Sequence, residues 1–219
     1  MKKYSLFTSA LLAQLLFYPV CYFAQAPVKS NMDNKMNSTE NHLIIDSHLT
    51  YEDALKGISI PAAVKQSLEI ITVQYFGYDG RLHQGQLIVN KKAAADLKEI
   101  FNFIKETKFP VEKVKPIVEY KWSDDKSMSD NNTSVFNYRF VSGTKVLSMH
   151  ANGLAIDINP MQNPYVKNGN ASPQGSNYEL ESKGTITPNC PLVQEFKKRG
   201  WKWGGDWKNL KDYQHFQKE

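Results

Sequence analysis

Cysteine is scarce in this 219-residue sequence: only Cys21 and Cys190 occur, too few for a framework of disulfides. Long apolar runs are scarce as well, and beyond the N-terminal segment none is long enough to span a bilayer. A strong charge of one sign is missing too. The formal charge is +5, and subtracting Lys2 and Lys3, which belong to a removable segment, leaves +3. That is too little to argue for nucleic acid, and no nucleic-acid-binding motif accompanies it. At most it favours an anionic polymer such as a cell wall. Around Asp124, Asp125 and Asp130 the glycine and terminal glutamate spacing of a calcium loop is absent. No internal repeat and no second block of composition marks a domain boundary.

What is present fits one globular domain. A hydrophobic share of 41% supplies a core, and the length suffices for one domain while being short for two. The N-terminus has the layout of an export signal. Lys2 and Lys3 precede an apolar stretch over 6–23, and Ala24-Gln25-Ala26 offers a small-x-small cleavage site. The sequence therefore predicts a signal peptide over 1–26, a flexible lead over 27–50 and a folded domain over 51–219. No stable membrane span is expected after signal removal. Tyr18-Pro19-Val20 before Cys21 do not make a lipidation box. The mature chain is expected to be exported, periplasmic or extracellular, and monomeric, with Cys190 buried or capping a helix.

Along the domain, short helices are expected at 51–55 and 62–68. The β-rich runs 70–75 and 82–89 flank Gly77-Tyr78-Asp79-Gly80, a hairpin signal. Asn90 then caps a helix over 91–105, with Ala93, Leu97, Ile100, Phe101 and Ile104 on one face. A strand bent at Pro116 is expected over 114–120, a solvated loop over 122–134, and strands over 136–141 and 154–158. Residues 160–188 read as a long irregular segment framing a site. Asn189 caps a helix reaching 199, and Gly200 stops it. Strands and helices mix without regular alternation, which makes the fold class α+β with a small, mainly antiparallel sheet and flanking helices.

The chemistry concentrates in two segments. The first is Ser148-Met149-His150-Ala151-Asn152-Gly153-Leu154-Ala155-Ile156-Asp157, and the second is Asp212-Tyr213-Gln214-His215-Phe216. Two imidazoles and one carboxylate are the ligand set of a catalytic zinc site that keeps a fourth position open for water. Imidazole is a poor partner for Mg²⁺ or Ca²⁺, so the donors favour zinc. Alternation puts Leu154, Ile156 and Ile158 on one face of a strand and Ala155 and Asp157 on the other. A carboxylate in mid-strand is costly unless a cation takes it. Gly153 permits the turn that returns His150 to Asp157. Asp212, three positions before His215, is either a proton acceptor for metal-bound water or a capping or surface residue. Arg139 is either a carbonyl-binding guanidinium or an exposed strand residue. His42, His48 and His83 have no ligand partner by spacing and read as structural or surface residues. Trp201, Trp203 and Trp207 either wall the cleft or pack in the core.

Taken together, Ser148-x-His150-x-x-Gly153-x-Ala155-x-Asp157 and Asp212-x-x-His215-Phe216 resemble the zinc D-alanyl-D-alanine carboxypeptidase family, which includes L-alanyl-D-glutamate endopeptidases. Further segments are similar to the endopeptidase-like branch: Phe76-Gly77-Tyr78-Asp79-Gly80, Phe136-Asn137-Tyr138-Arg139 and Gly200-Trp201-x-Trp203-Gly204-Gly205-Asp206-Trp207. The likeness covers roughly 70–217. It implies the fold shared with the Hedgehog signalling domain, His150, Asp157 and His215 as zinc ligands, and Asp212 as general base and acid. It also implies that Arg139 holds the scissile carbonyl and that Ser148 contacts substrate. Where the family often has His-Phe-Glu, this chain has His215-Phe216-Gln217. The expected activity is hydrolysis of a peptide bond in peptidoglycan stem peptides, of carboxypeptidase or endopeptidase type. The alternative is a non-catalytic, zinc-containing cell-wall binding protein of the same fold.

Overall fold

The computed structural model describes residues 42–219, so the signal-peptide segment 1–26 and the lead up to residue 41 lie outside the described residues. Among the described residues no helix is long and apolar enough to cross a membrane.

The elements mix helix and strand as α+β. A long hairpin, β2 (Leu68–Phe76) and β3 (Leu82–Asn90), is paired antiparallel from Leu68↔Asn90 to Phe76↔Leu82. Its period-2 pattern buries Ile71, Val73 and Tyr75 against α3 (Lys91–Thr107), whose own stripe buries Ala93, Leu97, Ile100, Phe101 and Ile104. Asn90 starts α3 by accepting the Lys92 N–H at 3.0 Å, and Lys108 in the left-handed region ends it. The β-strand β1 (Ile44–Ile45) lies parallel on the outer edge of β3. A strand therefore sits inside the stretch 27–50 that was expected to be a flexible lead, with Asp46 N–H bonded to Gln84 O at 2.8 Å. The short helices expected near 51 and 62 are α1 (Tyr51–Ala54) and α2 (Ala62–Ser67).

Between residues 113 and 141 three expectations are corrected. The stretch 114–120 is not one strand. It holds β4 (Lys113–Val114) and then a 3-10 turn, Ile117–Tyr120, because Pro116 brings no N–H for a ladder and caps the turn instead. The expected loop 122–134 contains helix α4 (Asp124–Ser129) and strand β5 (Asn132–Thr133), which pairs parallel with β4. The acidic run that looked solvated is a helix start: the Ser123 hydroxyl accepts the Lys126 N–H, and Asp124 and Asp125 occupy the first turn. Residues 136–141 form no regular strand; only a single bridge, Phe140↔Leu147, is present.

The second half carries β6 (Ala155–Asp157), β7 (Tyr165–Lys167), β8 (Asn170–Ser172), α5 (Pro191–Lys197), β9 (Trp201–Trp203), β10 (Lys211–Asp212) and β11 (His215–Lys218). The strand orders are β6-β11-β9 and β10-β7-β8, both antiparallel. The expected irregular segment 160–188 thus contains a two-stranded hairpin, which pairs Tyr165 with Asp212. Cys190, rather than Asn189, is the N-cap of α5, and it is buried. One core cluster joins α3 and the long hairpin to Ile156, Ile158, Phe196, Trp201, Trp203 and Phe216. Trp201 and Trp203 are therefore core residues.

His83 is held more closely than its sequence setting implied. Its Nδ1 lies 3.1 Å from Asp46 Oδ2 and its Nε2 lies 3.2 Å from Asp79 Oδ1, so it ties β1 to the hairpin tip.

A 3-10 turn, Met149–Asn152, ends on Gly153 at φ 65°, and this turn docks on the end of β3. Asn90 N–H donates to Gly153 O at 3.0 Å, and Asn90 Nδ2 donates to Asn152 O at 3.0 Å. A Cβ at position 153 would meet Asn90 N at 2.7 Å and the Val89 carbonyl carbon at 3.1 Å, both rigid backbone. Gly153→Ala is therefore expected to lose about 1–3 kcal/mol from backbone strain alone. Thermal unfolding should show a clear fall in Tm, and an unchanged Tm would contradict this docking.

Candidate metal centre

Strands β6 and β11 pair so that His215 lies opposite Asp157 and Phe216 opposite Ile156. Ile156 and Phe216 are fully buried in the core, so alternation turns Asp157 and His215 together to the other face. Phe216 is clamped by stacking on Phe196, centroids 3.8 Å apart. The third member comes from the 3-10 turn. His150 is fixed there by Asn137 N–H donating to its carbonyl at 3.2 Å and by Val135 O beside its Nδ1 at 2.6 Å. The strip carrying Val135 is itself bridged to β6, with Ser134 and Asp157 exchanging backbone hydrogen bonds of 3.1 and 3.0 Å.

The three side chains converge. His150 Nε2 is 3.2 Å from Asp157 Oδ2, His215 Nδ1 is 2.9 Å from Asp157 Oδ1, and the two imidazole nitrogens are 3.2 Å apart. One ligand atom from each lies within 4.8 Å of the others, and all three residues are buried. Among the described residues this is the one cluster of three such groups able to hold a metal ion.

The donor set fits a metal. The Val135 carbonyl can only accept, so His150 Nδ1 carries the hydrogen and Nε2 turns a lone pair inward. Gln217 Oε1 lies 3.0 Å from His215 Nε2, and Gln217 Nε2 points to Glu219 Oε1 at 3.4 Å. That orientation makes His215 Nε2 the donor and leaves Nδ1 facing the cluster. Two lone pairs and a carboxylate oxygen aimed at one point require either a proton or a cation between them.

The electrostatics reflect that demand. Burial pushes the Asp157 carboxyl up, but His150 and His215 outweigh it and hold the group far below the carboxylate range. Burial pulls His215 down, yet its hydrogen bond and charge contact with Asp157, aided by Asp212, raise it to about 9. Asp212 behaves oppositely: burial and the nearby Asp157 charge push it up to about 6, against the pull of His215, the Gln214 side chain and His150. Asp212 is half-buried, with Oδ1 sealed from solvent and lacking a hydrogen-bond partner. Its position is set by the pairing with Tyr165 and by Gly204, where a Cβ would come within 2.5 Å of Asp212 O. Trp207 borders the cluster, its ring 5.4 Å from that of His215.

The remaining expected site residues are placed less directly. Ser148 is buried, and its hydroxyl accepts the His150 N–H at 3.3 Å, capping the turn that carries the ligand. Arg139 bonds through its backbone to this turn, its carbonyl accepting Ser148 N–H at 3.0 Å. Its guanidinium is held by Asp124, Nη2 to Oδ2 at 2.7 Å, while Nε is buried with no partner. Asp124 also accepts from Asn137 Nδ2 at 3.2 Å. Asp124, Val135 and Gln217 join the site beyond the residues that the sequence pattern marks. The Ser-Asp-Asp helix start was the one available signal, since a carbonyl contact such as Val135 leaves no trace in residue type.

Residues 142–218 match the family model described as D-alanyl-D-alanine carboxypeptidase, which bears out the resemblance carried by the two ligand segments. The matched stretch contains His150, Asp157, Asp212 and His215 and begins just after Arg139. It supports a peptidase. No curated protein and no solved structure matches the chain.

A pH dependence follows from the His215–Asp157 pair. His215 is raised from 6.5 to about 9, so with a chelator present the pair's contribution to stability is complete below about 6.5 and is lost as pH climbs through about 9. Chelated wild-type protein should show a Tm that declines across this window, and His215→Gln should flatten the decline. A flat wild-type profile would rule the pairing out.

Proposed function

We propose that this protein is an exported zinc peptidase that hydrolyses a peptide bond in peptidoglycan stem peptides. The observation that carries this reading is the buried His150, Asp157 and His215 cluster with Asp212 beside it, inside the segment that matches the peptidase family. The resemblance implies the fold of the zinc D-alanyl-D-alanine peptidases and the Hedgehog signalling domain.

His150 Nε2, Asp157 and His215 Nδ1 would hold the ion, with Val135 O and Gln217 Oε1 fixing the ring tautomers from outside. When bound there, zinc lowers the pKa of water and polarises a carbonyl. Asp212 takes the proton from the attacking water. Its sealed oxygen and its nearness to Asp157 make it a better proton acceptor than a solvated aspartate. The same carboxyl group then delivers the proton to the leaving amine, restoring its ionised form. Arg139, steadied by Asp124, supplies a fixed positive charge for the substrate carbonyl oxygen as negative charge builds on it. Ser148 acts through His150, by capping its turn.

The test is digestion of purified peptidoglycan, read by mass spectrometry of the released muropeptides. The zinc-loaded wild type should release fragments. Asp212→Ala should keep its zinc but lose activity by on the order of 10²–10⁴. His150→Ala should lose the metal. Equal product from wild type and Asp212→Ala would remove Asp212 from the mechanism. No product from zinc-loaded wild type on any stem peptide would favour a non-catalytic cell-wall binding protein.

A further inference from the structure

His150 is the root of a protruding ribbon. Its carbonyl receives Asn137 N–H, and the same antiparallel register continues outward through Ser148 N–H to Arg139 O, the Phe140↔Leu147 bridge and Val141 N–H to Val146 O at 2.8 Å. From the Asn137–His150 pair to the Val141–Val146 pair the ribbon extends about 13 Å at ~3.3 Å per residue. Thr144 N–H closes the tip on Val141 O at 3.0 Å, and Gly143 adopts φ 74° there. Every residue from 140 to 147 is exposed.

The exposed side chains are the wrong kind for a solvated loop. Among the described residues six large apolar side chains are exposed, and four of them fall on this ribbon: Phe140 at 56%, Val141 at 43%, Val146 at 65% and Leu147 at 38%. Phe140 stands opposite Leu147 and Val141 opposite Val146, so both faces are apolar. A concentration of this sort marks an interaction surface. Its exposed charge is positive: Lys145 stands at the tip, Arg139 at the base is held by Asp124, and no acidic residue occurs from 139 to 148.

We propose that the 139–148 ribbon is a substrate-gripping arm that binds the anionic peptide chain flanking the bond to be cut. The proposal rests on the peptidase reading above and deepens it by assigning where the rest of the substrate lies. Continuity supports this occupant: one leg of the ribbon carries Arg139 and the other leads directly into His150. Charge complementarity supports it as well, because a stem peptide containing glutamate and a terminal alanine bears free carboxylates. The ribbon's outer edges offer backbone N–H and C=O groups to an extended chain, with apolar side chains on either side. A bilayer fits less well. The residues that would enter deepest are Ser142, Gly143, Thr144 and Lys145, which are polar. A second copy also fits less well, since eight residues bury far less than the ~800 Å² per partner of a stable interface.

The experiment compares zinc-loaded wild type with Phe140→Thr/Val146→Thr and with Lys145→Glu. Threonine is β-branched and favours extended backbone, so it keeps the ribbon while removing apolar surface. Because these side chains are exposed, both variants should match wild type in Tm and zinc content. The expected result is a KM for stem peptide raised about tenfold in each variant, the effect of losing roughly 1.4 kcal/mol of binding, with kcat within about twofold. Amidated stem peptides, which lack the carboxylates, should be insensitive to Lys145→Glu. Sedimentation with intact peptidoglycan provides a readout that needs no turnover, so a wild type that binds but does not cleave sinks the peptidase reading without sinking the arm. Unchanged KM and unchanged sedimentation would overturn the arm. So would a wild-type dimer, seen by light scattering, that the variants dissociate. Binding of wild type but not of the variants to vesicles of phosphatidylglycerol and phosphatidylethanolamine would likewise overturn it, in favour of a membrane.

Discussion

A slip of β11 by one residue against β6 would turn His215 into the hydrophobic core and bring Phe216 out beside Asp157. The register is thus enforced from both sides. Phe216 stacks on Phe196 and packs near Trp203, and Ile156 lies in the same cluster, so the apolar faces alone specify the alignment. The polar faces then inherit a cross-strand pair of opposite charge with no freedom to separate. Ordinary core packing is what brings a carboxylate and an imidazole within 2.9 Å in a buried place.

The third donor depends on a different kind of support. His150 sits on a short turn that has little apolar surface of its own to hold it. Hydrogen bonds in which at least one partner is a backbone group take over: Asn90 from the hairpin–helix junction, Val135 and Asn137 from the neighbouring strip, and the Ser148 cap beneath. Side chains outside the cluster also finish the arrangement. Gln217 orients His215, and Asp124 secures both Arg139 and Asn137. A three-residue cluster therefore draws on contacts from nearly every part of the domain.

Much of this was readable from residue order, for identifiable reasons. The long hairpin and α3 have strong periodicity and an unambiguous cap in Asn90, and both appear close to their expected bounds. The spacing of His150 and Asp157 around Gly153 reported the turn because a positive φ there selects glycine. Elsewhere the pattern was too short. The two-residue strands at 113–114 and 132–133 have no period to detect, and the helix 124–129 is so polar that its capping serine was the better guide than its hydropathy. Asp46 beside His83 was invisible because a parallel pairing between segments almost forty residues apart leaves no local mark.

The two hydrogen bonds from Asn90 bear on how the domain divides. The stretch that matches a peptidase family begins at residue 142, yet the turn bearing its first histidine is fastened to residue 90 and oriented by residue 135. Sequence kinship and mechanical integrity have different boundaries here. An excised C-terminal fragment would carry the donor atoms but not the scaffold that aims them, so the matching segment is not a portable module.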